Sequence, residues 1–151
     1  MKRAWVFAVA LLLKPVLGRA EPAPPLYENR CSVCHQAGGV GVPGAYPRLA
    51  GRAGAIAGLT DGRRAMVSAA LYGVAGVLKV DGQTVVGVMP GFAEVKDAEI
   101  AAVLTYVSHL GGAHPKPFTA AEVAKVRQGD SLTPNQVNAL LRQPAITAVA
   151  P

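Results

Sequence analysis

Five consecutive residues constrain this 151-residue chain more than any other feature: Cys31-Ser32-Val33-Cys34-His35. Two thiols three residues apart, with an imidazole directly after the second, form the pattern of covalent haem attachment. Each thiol adds to one vinyl group of the porphyrin, so the sulfurs must lie about one helical turn apart. The next residue then presents its imidazole to the iron as a proximal ligand. Rival readings fare worse. A thioredoxin-like redox pair needs a preceding βαβ context, and here Pro22, Pro24 and Pro25 precede the motif. A structural zinc site needs four Cys or His ligands at zinc-type spacings, and beyond the motif only His109 and His114 remain. A plain disulfide leaves His35 unexplained.

Lys2 and Arg3, the apolar run from Ala4 to Leu13 and the small residues of Gly18-Arg19-Ala20 read as an export signal over 1–20, cut before Glu21. Lys14 interrupts the run, which is too short to span a bilayer as a helix. Retention as an uncleaved anchor stays open. Export matters for charge. The whole chain is formally +6, but Lys2, Arg3, Lys14 and Arg19 leave with the signal, so eleven basic residues face nine acidic ones. The remaining basic residues are scattered, which excludes a nucleic-acid footprint. The expected compartment is the periplasm. No transmembrane span is expected after cleavage.

The mature part is the size of one small domain, poor in aromatic residues. A Pro-rich linker at 21–25 leads into a helix from Leu26 to His35. From Gly38 to Gly54 the chain reads as an irregular loop, in which Tyr46 and Leu49 are the residues expected to touch haem. It lacks the Lys-Ser/Thr of a phosphate-binding loop. Thr60 or Asp61 caps a helix to about Tyr72. Val77–Val80 and Gln83–Val86 read as short strands joined by Asp81-Gly82, a pair suited to positive φ at both central positions. Gly87-Val88-Met89-Pro90-Gly91-Phe92 then supplies the candidate second axial ligand, Met89. Its thioether is a soft donor, and Pro90 biases it towards an extended conformation. Core filling is the ordinary role of Met; the rival thioether, Met66, lies mid-helix, where packing suits it better.

Asp97 caps a helix to Leu110, with Ile100, Val103, Leu104, Val107 and Leu110 forming one apolar stripe, stopped by Gly111-Gly112. His109 reads as a helix-terminal residue suited to the macrodipole; His114 has no evident partner. Thr119–Glu122 and Thr133–Gln136 are capping-box patterns that open two short helices in a C-terminal extension, residues 113–151. Packing against the core and use as a docking surface both remain open for this extension.

In order, Tyr27, Cys31-x-x-Cys34-His35, Pro43-x-x-x-Pro47-x-Leu49-x-Gly51, Gly87-x-Met89-Pro90 and Tyr106 resemble a class I c-type cytochrome over 26–112. The chain is similar to the small bacterial monohaem cytochromes that serve periplasmic dehydrogenases, reductases or oxidases. The resemblance implies an all-α fold, here with a small β-hairpin before the Met loop and a short helical C-terminal extension. It implies one covalent haem c with iron between His35 and Met89, and a contact of Tyr27 with Tyr106 where the first and last core helices cross. It implies an electron carrier and not an enzyme, with a redox protein as partner. The extension resembles those of cytochrome subunits that accompany periplasmic dehydrogenases. A different class, a haem sensor or peroxidase-like enzyme with a displaceable Met89, lacks a distal His or Arg near that residue.

Overall fold

The computed structural model describes residues 22–150; the export signal expected over 1–20 lies outside them. The first helix begins as a π-helical turn, Tyr27–Cys31, and continues as α1, Ser32–His35. It is followed by a 3₁₀ turn, Ala37–Gly39, then α2, Arg52–Ala57, and α3, Thr60–Tyr72. An antiparallel hairpin comes next, β1, Val74–Val80, and β2, Gln83–Met89. The remaining helices are α4, Asp97–His109, α5, Ala120–Arg127, α6, Pro134–Leu141, and α7, Pro144–Val149.

The fold is therefore mixed, mostly helical with a two-stranded sheet, and the expectation of an all-α chain needs that correction. The hairpin is longer than its apolar runs suggest. Backbone pairing extends the strands back to Val74 and on to Met89, through glycines that carry no strand propensity. Its tip matches expectation: Asp81 and Gly82 both adopt positive φ, 52° and 74°. The supposed loop from Gly38 to Gly54 contains a 3₁₀ turn and the start of α2, which lacks a side-chain cap to announce it. Lys96 and Leu59 occupy the N-cap positions, with Asp97 and Thr60 just inside. Both later capping boxes are present, at Thr119 and Thr133. A third helix of the extension, α7, follows them, headed by Pro144 without a capping side chain.

One apolar cluster joins the helices. Ile100, Val103, Leu104 and Val107 of α4 pack with Ile56 of α2 and with Ala65, Val67, Ala70 and Leu71 of α3. Met66 belongs to this cluster, as its mid-helix position suggests. Where α4 ends, Gly111 turns with φ 84°, and a Cβ there would sit 2.4 Å from the Gly51 nitrogen. The Gly51 amide donates to the Leu110 carbonyl at 2.7 Å, tying this turn to the start of α2.

The C-terminal segment belongs to the same cluster through Phe118, Val123, Ile146 and Ala150. Helices of six to eight residues are not stable alone, so side-chain burial holds them. Ile146 is 1% exposed, and burying such a side chain contributes about 1.5–3 kcal/mol. Arg63 supplies a polar clamp. It donates to Glu122 and to the Lys116 and Pro117 carbonyls, and its guanidinium lies 3.8 Å from the Phe118 ring centroid. Val137 is fully buried and Asn138 donates to the Val77 carbonyl at 3.3 Å, which seats α6 on β1.

Candidate haem site

Cys31, Cys34 and His35 lie on one continuous helical segment, although its first turn is wound as a π-helix closed by the Ser32 amide on the Tyr27 carbonyl. Three residues of helix separate the sulfurs by about 4.5 Å along the axis and return them to nearly the same side. Both cysteines are unpaired and half-buried. The Cys31 thiol is pushed up to about 11 by burial and, secondarily, by Cys34. It is thus a neutral thiol at pH 7. A redox-active pair has the opposite property, a thiol poised as thiolate.

His35 closes the segment. Its ring is buried, and Nδ1 lies 2.8 Å from the Pro47 carbonyl. A carbonyl can only accept, so Nδ1 carries the proton and Nε2 keeps its lone pair. Burial depresses the imidazole pKa, against a smaller opposing pull from that carbonyl, and so favours the neutral form. A neutral ring oriented by a carbonyl on its far nitrogen is what a metal-binding histidine requires. The backbone supports this arrangement. Gln36 leaves the helix with φ 62°, its carbonyl accepts the Tyr27 hydroxyl at 2.7 Å, and the Gly41 amide donates to the His35 carbonyl at 2.9 Å. Motif spacing alone gives no sign of the Pro47 contact.

Tyr27 and Tyr106 meet edge to face with centroids 4.9 Å apart, so the first helix and α4 cross beside the motif as expected. The crossing is buried enough to push the Tyr27 hydroxyl up to about 12, mainly by desolvation and then by Tyr106. Tyr46 is exposed and Leu49 is half-buried against the core.

Met89 is the final residue of β2, not part of an irregular loop, and its half-buried side chain packs on the same apolar cluster as Cys31 and Tyr106. Three contacts set its place. Val74 pairs with it across the hairpin. Gly73, φ 77°, lets the α3 terminus pass so close that a Cβ would lie 2.4 Å from the Met89 oxygen. The Phe92 amide then donates to the Ala70 carbonyl at 2.9 Å. The motif helix reaches this segment through Arg30, 6.0 Å from the Phe92 ring centroid and 3.9 Å from Glu94.

The two later histidines take no part in this arrangement. His109 ends α4 with Nε2 3.1 Å from the Pro115 carbonyl, and His114, for which the sequence offers no partner, meets its ring at 5.3 Å. Among the described residues, no group of three or more His, Cys, Asp or Glu side chains is placed to hold a metal ion by itself. Two unpaired thiols and an oriented imidazole on one helical segment, with a thioether packed on the same apolar cluster as Cys31, instead fit an iron porphyrin, which brings four of its own nitrogen ligands.

Comparison with known proteins identifies the family. Residues 20–111 match the family described as Cytochrome c. One Cytochrome c-552 of Thermus thermophilus is 42% identical over 134 residues, spanning 85% of this chain and 90% of its own length. A second Cytochrome c-552 of Thermus thermophilus is 44% identical over 113 residues, spanning 72% of this chain and 86% of its own. The first alignment is long enough to continue beyond Gly111 into the C-terminal helices. The chain belongs to the cytochrome c family, and it is accordingly an electron-transfer protein that carries a covalently attached haem c.

Proposed function

We propose that this protein is an exported monohaem carrier in which Cys31 and Cys34 form the thioether bonds and His35 and Met89 bind iron from opposite faces. The observation that carries the reading is the buried His35 ring, held through Nδ1 by the Pro47 carbonyl at 2.8 Å, which leaves Nε2 as the nitrogen that can bind. Haem supplies a one-electron ferric/ferrous couple, whose potential a Met ligand and an apolar shell both raise. The chain supplies position. Tyr27 and Tyr106 set the crossing beside the attachment helix, and the α3 terminus with the hairpin sets Met89. With both axial positions filled by side chains, substrate has no coordination site, which favours electron exchange over bond chemistry.

Electrons pass between this carrier and redox proteins of the periplasm, a dehydrogenase, reductase or terminal oxidase among them. A role as the cytochrome subunit of a periplasmic dehydrogenase fits the same chemistry. Val33, 70% exposed between the two cysteines, gives the attachment edge an apolar contact. A small contact of this kind suits partners that must release quickly. The signal pattern of 1–20 supports export, and no helix among the described residues is long and apolar enough to cross a membrane.

Mass spectrometry of the exported protein, with absorption spectra of both oxidation states, tests the reading. The expected result is a chain beginning at Glu21 that carries one haem on a peptide containing Cys31 and Cys34, with a low-spin spectrum. Haem that acidified organic solvent extracts would overturn the covalent assignment.

A further inference from the structure

The last turn of α5 touches both flanks of the Met89 segment. On one flank, Arg127 Nε donates to Asp97 Oδ1 at 2.8 Å, Nη2 donates to the Val95 carbonyl at 2.7 Å, and Nη1 donates to the Ala93 carbonyl. On the other, the Tyr72 hydroxyl at the end of α3 donates to the carbonyl of the adjacent Val126 at 3.2 Å. Between these flanks run Met89 to Phe92, pressed so close to α3 that a Cβ on Gly91 would lie 2.5 Å from the Leu71 oxygen. One guanidinium thus fixes three acceptors between Ala93 and Asp97, all just beyond Met89. The Arg127 and Asp97 side chains are only 31% and 29% exposed, so water screens the pair incompletely.

We propose that Arg127 is a positioning residue for the sixth ligand: the C-terminal extension closes the Met89 segment against α3 and so sets how often the thioether leaves the iron. The proposal rests on the assignment of Met89 as axial ligand. A planar fork suits this task because it can serve a carboxylate and two carbonyls at once, which an ammonium cannot. Arg63 clamps the same extension, but to Glu122 and the Lys116 and Pro117 carbonyls, away from residues 89–97, and is therefore the natural control.

Imidazole added to the ferric, haem-loaded protein reads the equilibrium directly, because it enters only when the sulfur is away. R127A should bind imidazole about tenfold more tightly than the parent, the loss expected for charge-assisted hydrogen bonds. R127K keeps the charge beside Asp97 and should fall between the two, and it carries the test should R127A fail to fold. R63A should stay within about twofold of the parent, as for contacts that do not share a partner with the ligand segment. Exchange of the Phe92 amide, bonded to Ala70, should quicken in both Arg127 variants and not in R63A. Parental imidazole affinity in R127A and R127K overturns the proposal, and so does an equal gain in R63A, which would make general loosening of the extension sufficient. M89A, measured alongside, separates the two claims. If M89A gains no imidazole affinity, the ligand assignment fails and the brace with it; if M89A gains and the Arg127 variants do not, only the brace fails.

Discussion

The two sides of the proposed haem site are built differently. The His35 side is local: two thiols and an imidazole share one helical segment, and the contacts that orient the ring come from Pro47, Gly41 and Gln36 nearby in the chain. The Met89 side is assembled from distance. Its candidate donor ends a strand, the strand is paired to β1, the following residues lean on α3, and Arg127 reaches them from α5. A ligand whose neighbours are close in the chain survives loosening of the remaining fold. A ligand held by several separate elements reports on all of them. The difference predicts that damage to the tertiary structure should appear first on the thioether side.

The largest expected effect removes the local side. H35A should lose the normal low-spin spectrum in both oxidation states while haem stays covalently attached, and an unchanged spectrum ends the assignment. M89H comes next. It should keep low-spin iron but lower the reduction potential, because imidazole replaces a thioether; electrochemistry at neutral pH checks this, and a parental potential would break the comparison at its remote side.

A smaller effect is expected at the helix crossing. Y27F deletes the hydroxyl that donates to Gln36 and should cost about 1 kcal/mol in denaturant unfolding near neutral pH. The pH dependence has a definite sign. The folded pKa of about 12 lies above the ordinary 10.0, so the phenol contributes stability below pH 10 that is lost as pH rises towards 12. The gap between parent and Y27F should therefore narrow across that window, and a constant gap would show that Tyr27 titrates as a free phenol. The smallest effect lies farthest from either ligand. Glu122 is held below its ordinary value of 4.5, first by its hydrogen bonds to Arg63, so its contribution is present above pH 4.5 and lost as pH falls below it. E122Q should cost less than about 1 kcal/mol at neutral pH, as partly exposed pairs do, and flatten the acid limb of the stability curve. A shifted reduction potential in E122Q would blur the distinction between the two tail clamps.

Much of this arrangement can be read from the residues, for identifiable reasons. Cys31-x-x-Cys34-His35 is legible because its chemistry requires fixed spacing on one helix. The capping boxes at Thr119 and Thr133 are legible because cap and partner lie three residues apart. α4 announces itself by an apolar stripe of helical period. The misreadings fall where partners are remote. α2 has no capping side chain and α7 is short, so both depend on packing that local patterns do not encode. The reach of β2 to Met89 depends on Val74, fifteen residues earlier, and glycine interrupts the strand signal between them.

The sequence by itself determined the attachment chemistry, the identity of both candidate ligands and the order of the main helices, because these follow from short-range spacing and from side-chain donor type. Only the tertiary structure decided which ring nitrogen of His35 faces away from Pro47, where Met89 stands, and that the C-terminal extension packs into the core and grips the Met89 segment. Hydrogen bonds between residues such as Arg127 and Ala93 form only once the chain has brought distant backbone within about 3 Å, and no local pattern in either segment records that meeting.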